Sequence, residues 1–212
     1  MWKLTPTMTA RLDSDGVLTV GTTQVSEAMP DYSSFYDIPG YVVPARVHYY
    51  DVPWYDVRSQ IRSVVIEDNV ASVGNSAFCD PDGGYSKLTS VTMGRSVKSI
   101  GDNAFEGCKF LTSIAIPNST TFIGYCAFKG CAALSSITIP HSVKYIEYRA
   151  FWNCLHLKHV TVAWATPLPL SIDIFEGVNT SKLTLHVPAG TKALYRAAEV
   201  WKDFGTILDG AK

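Results

Sequence analysis

The feature that most constrains the fold of this chain is a dipeptide that recurs at a nearly constant interval. Ala-Phe occurs four times and is followed by one degenerate copy, at Ala77-Phe78, Ala104-Phe105, Ala127-Phe128, Ala150-Phe151 and Ile174-Phe175. Successive phenylalanines are separated by 27, 23, 23 and 24 residues. A period of about 23 residues is typical of a solenoid, in which each repeat forms one coil that stacks on its neighbours.

The residues around each phenylalanine repeat as well. A branched aliphatic precedes it by five positions and a glycine usually by four; in three consecutive units, those of Phe105, Phe128 and Phe151, a cysteine follows at three and a leucine at six. Each leucine opens a segment such as Leu134 to Ile139, of the form Leu-x-x-Ile-x-Ile, which is followed by Pro140. Apolar residues at positions 1, 4 and 6 leave the other positions for solvent, which predicts one short parallel strand per coil.

The predicted strands divide the chain into three parts. Strands are expected at 61–66, 88–93, 111–116, 134–139 and 157–162, with an irregular sixth strand through Leu183, Leu185 and Val187. The Ala-Phe-x-x-Cys segments are predicted to form short helical or 3-10 turns, and the first unit carries a four-residue insertion within Cys79–Gly84 that suits a surface loop. The predicted domains are 1–60, an N-terminal β-rich cap; 61–186, a solenoid of about five to six coils; and 187–212, a C-terminal capping segment.

Caps are expected because a terminal coil cannot bury its own apolar face. Asp15-Gly16 before Val17 to Val20 predicts a β-hairpin, and the aromatic-rich stretch from Tyr32 to Tyr55 is expected to cover the first coil. At the other end, one apolar stripe predicts a helix over Thr191 to Phe204, formed by Leu194, Ala198, Trp201 and Phe204.

The overall charge argues against some classes of partner. The net charge is -1 and the isoelectric point is near 6.5, so no basic field exists to attract nucleic acid. No apolar stretch reaches the roughly 20 residues that a membrane-spanning helix needs, and the first five residues lack the apolar core of a signal peptide. We therefore expect a soluble chain without nucleic-acid binding or membrane insertion.

The repeat unit, Leu-x-x-Ile-x-Ile-Pro-x-x-Val-x-x-Ile-Gly-x-x-Ala-Phe-x-x-Cys, resembles the BspA-like, or treponemal, class of bacterial leucine-rich repeats. The resemblance covers Ile61 to about Phe175, and the segment from Val187 to Phe204 is similar to the end of such proteins. It implies a right-handed leucine-rich repeat solenoid with short parallel strands, from a bacterial cell-surface or secreted protein, in a family of which some members bind host proteins and act in adhesion. It implies no catalytic residues and no cofactor. Glu147 for glycine, and Gly94 and Ala163 for proline, depart from the pattern.

Few residues indicate chemistry. His156 and His159 have a spacing that two metal ligands can use, but no third ligand accompanies them, so solvated side chains are the preferred interpretation. Asp13 to Gly16 matches only the opening of a calcium loop and is better explained as a polar hairpin turn. Phosphate-binding loops and nucleophile elbows are absent from the sequence. The sequence therefore predicts no metal site and no enzyme.

The cysteines number five and fit no disulfide framework. Cys108, Cys131 and Cys154 occupy one repeat position, which predicts buried, unpaired thiols packed against one another, although stacked coils also bring such positions near disulfide distance. Cys126 occupies a position that is held by polar residues in other coils, and it is predicted to be the more exposed thiol.

Two surfaces are candidates for binding. The strand face is predicted to present an uncharged hydroxyl array, for which simple solvent exposure is the competing explanation: Thr89, Ser90, Thr92, Thr112, Ser113, Ser135, Ser136, Thr138 and Thr161. The other surface is an aromatic patch expected to bring together Phe122, Tyr125, Tyr145 and Tyr148. Exposed aromatics indicate cover by a protein, a glycan or a second copy of the chain, although neighbouring loops or the caps are the simpler cover.

The predicted function is that of a non-enzymatic cell-surface or secreted module for protein–protein interaction or adhesion, with a host or bacterial surface component as its partner. The alternative is a glycan-binding or self-associating structural module, in which the same aromatic patch contacts sugars or another copy. A hydrolase or metal site is a third, weaker hypothesis.

Overall fold

The computed structural model describes residues 1–32, 52–80 and 82–211. Fifteen strands and little helix make up this part of the chain. The strands are, in order, β1 Trp2–Lys3, β2 Met8–Leu12, β3 Val17–Thr22, β4 Glu27–Ala28, β5 Ser63–Ile66, β6 Val70–Val73, β7 Ser90–Met93, β8 Ser99–Ile100, β9 Ser113–Ile114, β10 Phe122–Ile123, β11 Ser136–Ile139, β12 Tyr145–Ile146, β13 His159–Val162, β14 Thr184–Pro188 and β15 Thr206–Ala211.

These strands form a β-solenoid of about six turns. One side, which we call the strand face, consists of a sheet in the order β1-β2-β3-β5-β7-β9 and a second in the order β11-β13-β14-β15. The other side is a five-stranded sheet, β12-β10-β8-β6-β4, which we call the back sheet. Neighbouring coils pair in parallel and in register, as Val64 with Val91 and Val91 with Ile114. The predicted parallel strands are confirmed.

A column of aromatic rings runs through the interior. Each Ala-Phe dipeptide buries its phenylalanine, and the successive rings stack with centroids 5.2 to 5.7 Å apart, in the order Phe78, Phe105, Phe128, Phe151 and Phe175. Trp54 extends the column at its start, 5.4 Å from Phe78. Because every ring contacts the coil before and the coil after, the core is continuous along the solenoid.

The cysteine column lies beside these rings. Cys108, Cys131 and Cys154 are buried free thiols, and each thiol donates a hydrogen bond of 3.2 Å to a phenylalanine carbonyl of the preceding coil. The prediction of buried, unpaired thiols is correct. Cys126 is only 1% exposed, so the prediction that it is the more exposed thiol is wrong.

In the Ala-Phe turns, backbone hydrogen bonds join residues three positions apart, as in a 3-10 helix, but one residue with a left-handed backbone conformation interrupts each series. The residue before each Ala has φ between 53 and 58°, at Ser76, Asn103, Cys126 and Arg149. No continuous 3-10 helix forms in these Ala-Phe turns among the described residues, whereas 3-10 helices do occur outside them, at Tyr55–Gln60 and Thr180–Lys182. The coils approach closely here: a Cβ on Gly124 would lie 2.7 Å from the Asp102 nitrogen, which explains the glycine column.

The N-terminal residues continue the strand face. β2 and β3 form the predicted antiparallel hairpin around Gly16, and β3 pairs in parallel with β5 of the first coil. Asp13 accepts hydrogen bonds from the Asp15 and Val17 backbone nitrogens, as a polar turn does. Trp54 is fully buried and donates to the Tyr85 hydroxyl, so it is part of the core of the first coil. Most of the aromatic-rich stretch, 33–51, lies outside the described residues.

The C-terminal segment differs from its prediction. The α-helix described there, α1, spans Lys192–Ala197 rather than Thr191 to Phe204, and Leu194 is 51% exposed. A 3-10 helix follows at Trp201–Asp203, where Trp201 contacts Phe204 and Phe175. The chain then adds β15, which pairs in parallel with β14 and which the sequence analysis did not predict.

The insertion in the first coil is predicted to be a surface loop, but part of it is buried. Cys79 and Asp80 are buried, and the Asp80 carboxylate accepts hydrogen bonds from the Gly84 and Tyr85 backbone nitrogens. Burial raises the pKa of the Cys79 thiol, with the nearby Glu106 and Asp80 carboxylates adding to the effect. The insertion is therefore anchored from within by one carboxylate.

Candidate binding surface

The aromatic patch lies where two neighbouring strands of the back sheet meet solvent. Phe122 of β10 pairs directly with Tyr145 of β12, so their side chains leave the sheet on the same side. In the turns that follow these two strands, the Cys126 backbone nitrogen donates a hydrogen bond to the Tyr148 carbonyl, so the turn of one coil stacks on that of the next. The structure thus brings Phe122 near Tyr145, and Tyr125 near Tyr148, as the 23-residue offset predicts.

The four residues differ in exposure. Tyr145 and Tyr148 are 65% and 58% exposed, whereas Phe122 and Tyr125 are half-buried. Burial raises the pKa of the Tyr125 hydroxyl, and a side-chain hydrogen bond with Cys126 acts in the same direction. The part of the patch that is open to a partner is therefore Tyr145 and Tyr148, while Phe122 and Tyr125 of the preceding coil are less accessible.

Charged side chains border the patch on its C-terminal side. Arg149 follows Tyr148, lies 4.7 Å from the Trp152 ring and reaches Asp173 and Glu176 at 3.3 and 3.6 Å. From the preceding coil, Lys129 lies 4.6 Å from the same ring and forms a 2.8 Å ion pair with the buried Glu106. An apolar centre with a charged, hydrogen-bonding rim is the usual composition of a protein interface.

The patch also coincides with the end of the back sheet. β12 pairs with β10 and has no strand on its other side within the described residues. Because the Tyr145 and Glu147 nitrogens donate to β10, the backbone groups of Ile146 point away from it. Pro167 and Pro169 occur in the next coil, where no strand of the back sheet forms. Tyr145 therefore stands on an open strand edge.

The hydroxyl array of the strand face is present, but some of its hydroxyls already form hydrogen bonds within the chain. Its nine residues are exposed or half-buried, and Ser63, Ser90 and Ser113 align in register across three strands. However, the Thr112 hydroxyl donates to the Thr89 carbonyl at 3.0 Å, and the Thr89 hydroxyl donates to the Arg62 carbonyl at 3.3 Å. These hydroxyls join one coil to the next, which favours a structural role for them.

The histidines of the strand face form a pair that the sequence spacing did not identify. His156 and His159 do not act together, because Nδ1 of His156 lies 2.7 Å from the Ala132 carbonyl oxygen. His159 instead meets His186 of β14, with ring centroids 5.6 Å apart. No cluster of three or more metal-ligating side chains occurs in the described ranges, and no helix described there is long and apolar enough to span a bilayer.

Comparison with known proteins agrees with the repeat pattern. The sequence model described as "BspA type Leucine rich repeat region" matches residues 54–178 in six copies. A search of the curated proteins gives no match.

Solved structures of bacterial proteins share the fold. A leucine-rich repeat protein from Eubacterium ventriosum is 24% identical with a TM-score of 0.56, over 87% of this chain and 55% of that one. The leucine-rich repeat protein of T. pallidum is also 24% identical, with a TM-score of 0.51 over 94% and 93% of the two chains. A leucine rich cell surface protein from Faecalibacterium prausnitzii is 23% identical, with a TM-score of 0.50 over 100% and 55%. The chain thus spans about half the length of the first and third.

Proposed function

Since the chain belongs to the BspA-type leucine-rich repeat family, we propose that it is a non-enzymatic binding module that works at the bacterial surface or outside the cell. The observation that carries the proposal is the exposure of Tyr145 and Tyr148 on one coil, beside the half-buried Phe122 and Tyr125 of the preceding coil and next to a charged rim. Tyrosine contributes a large apolar contact together with a hydrogen-bonding hydroxyl, which is why it is enriched at the centres of protein interfaces. The similarity to a cell surface protein supports the proposed location.

The partner in this proposal is a folded or extended protein of the host or of another bacterium. A protein can cover the two tyrosines, reach the Arg149 rim and pair with the open edge of β12. The strand face is the weaker candidate, because its threonine hydroxyls bond to the preceding coil. The glycan alternative requires the tyrosines alone to stack on sugar rings.

The test is a binding array that carries fibronectin, laminin, collagen and a set of neutral and sulfated glycans. The wild-type chain is compared with Tyr145→Ala/Tyr148→Ala and with the control Phe110→Ala, which removes a 50% exposed aromatic outside the patch. Removing two interface anchors is expected to weaken binding to a matrix protein by about tenfold or more. Phe110→Ala is expected to bind like wild type.

Both variants should have thermal midpoints of unfolding close to that of wild type, because the substituted rings are exposed. Wild-type affinity in Tyr145→Ala/Tyr148→Ala for a protein that the unmodified chain binds would contradict the proposed surface. Saturable binding to glycans alone would replace the protein partner with a sugar.

Self-association through the same patch is a second candidate, and the open edge of β12 favours it. An exposed strand edge can pair with another copy of itself. Sedimentation equilibrium over a range of concentrations separates the two. Self-association predicts that wild type forms a dimer and that Tyr145→Ala/Tyr148→Ala is a monomer. A wild-type monomer at all concentrations would contradict self-association and favour binding of a different protein.

A further inference from the structure

Two histidine rings meet on the strand face where β13 and β14 lie side by side. The register pairs His159 with Thr184, and Thr161 with His186, so both histidines project from the same face on adjacent strands. Nε2 of His186 lies 3.4 Å from Nδ1 of His159, and the ring planes differ by 38°. The ring centroids are 5.6 Å apart, and the nitrogen of each ring that lies nearest the other is the one in this 3.4 Å contact.

The two rings are within hydrogen-bond distance at its long end, and the same separation also suits two ligands of one metal ion. Nitrogen donors usually lie within about 3.2 Å of their acceptors. In a tetrahedral zinc site each imidazole nitrogen lies about 2.0 to 2.1 Å from the metal, which places two such nitrogens about 3.3 to 3.4 Å apart. The rings therefore already have the nitrogen separation that chelation requires.

We propose that His159 and His186 form a two-histidine site for a divalent transition metal, with water completing the coordination. Imidazole nitrogens bind Zn²⁺, Cu²⁺ and Ni²⁺, and affinity for a given site is greatest for Cu²⁺ among these ions. No metal site is predicted from the sequence, because the spacing there pairs His159 with His156. The partner of His159 lies 27 residues away on the next strand, which only the parallel register reveals.

The surroundings suit a weak, open site rather than a structural one. His159 is exposed and His186 is half-buried, so water can reach the remaining coordination positions. Both strands contribute uncharged threonines beside the rings, Thr161 and Thr184. A groove of about 410 Å³ adjoins His159 and includes Lys158 and Lys182, whose charges oppose a bound cation. The site consequently depends on both imidazoles, and loss of either one should remove it.

The experiment titrates Cu²⁺ into the full chain in a buffer that does not bind metals, followed by calorimetry and by electron paramagnetic resonance. Wild type is expected to bind one equivalent at this site, with hyperfine coupling from two imidazole nitrogens. His159→Ala and His186→Ala should each lose that equivalent or bind it at least about tenfold more weakly. The control His141→Ala removes an exposed histidine outside the pair and should retain wild-type binding.

Two results would overturn the site. One is an unchanged stoichiometry and affinity in both His159→Ala and His186→Ala, and the other is a spectrum with coupling from a single nitrogen. Far-UV circular dichroism checks that each variant is folded, and His186→Gln replaces His186→Ala if the alanine variant is not. Zn²⁺ titrations of the same proteins should give the same ranking with lower affinity.

Discussion

Among single residues, the cysteines provide the sharpest prediction. All five are buried, and burial raises the pKa of Cys154 to about 12 and that of Cys126 to about 11. Since the thiolate is the reactive form, we expect none of the five to react with iodoacetamide in the native protein at mildly alkaline pH, and all five to react in concentrated guanidinium. A native thiol, Cys126 above all, that reacts as fast as free cysteine would contradict this burial.

The same shifts determine how the thiols affect stability at high pH. The folded chain holds these protons more tightly than the unfolded chain, whose thiols titrate near the ordinary value of 9.0. The free energy of unfolding should therefore fall as the pH rises from about 9 towards 11 and 12, because only the unfolded state releases protons in that range.

Cys126 also shows what residue types cannot reveal. The repeat predicted the burial of Cys108, Cys131 and Cys154 because they share one apolar column. Cys126 shares its position with polar residues, which indicated solvent. The structure places that position in a left-handed turn, where the Cys126 nitrogen donates to the next coil. The positive φ of Cys126 and its contact with the next coil decide its burial, and the polarity of the residues at this repeat position indicates neither.

For the coil as a structural element, the aromatic column makes the energetic prediction. Phe128 is fully buried between Phe105 and Phe151, so Phe128→Ala should lower the free energy of unfolding by about 3 to 5 kcal/mol. Phe110→Ala, at a half-exposed ring in an adjacent loop, should change it by less than about 1 kcal/mol. Urea unfolding measures both, and equal losses in the two variants would show that the column does not hold the coils together.

The elements inside the repeat were more predictable than those after it. Strands recur because each coil must bury the same positions, and the spacing of Phe105, Phe128 and Phe151 reveals that requirement directly. The predicted C-terminal helix was too long because the backbone is already extended at Ala198 and Val200 then adopts φ 69°, neither of which apolar spacing can indicate. β15 was missed because it is a single copy that starts after Gly205 and includes Gly210.

The binding surface was predictable only in part. The 23-residue offset placed Tyr145 beside Phe122, and Tyr148 beside Tyr125, but not their relative exposure. That exposure depends on where the back sheet ends, which follows from the failure of the next coil to supply a strand. The contact of His159 with His186 depends on the register of an irregular strand, so no sequence spacing indicates it.

At the scale of the whole molecule, one core connects the first coil to the last. The ring column begins at Trp54 and continues to Phe175, where Phe204 and Trp201 contact it edge-on. The Trp201 indole donates to the Leu168 carbonyl, and the Tyr195 hydroxyl donates to the Trp164 carbonyl, so the C-terminal segment is fastened to the same core. A single core holds the aromatic patch and the strand face in fixed positions.

The most direct test of this continuous solenoid is equilibrium unfolding in urea, followed by two probes on the same samples. Tryptophan fluorescence reports chiefly on buried rings near the two ends, Trp54, Trp164 and Trp201, while far-UV circular dichroism reports on all strands. A continuous core predicts one cooperative transition with the same midpoint for both probes. Two separated transitions, or a midpoint that differs between fluorescence and circular dichroism, would contradict it.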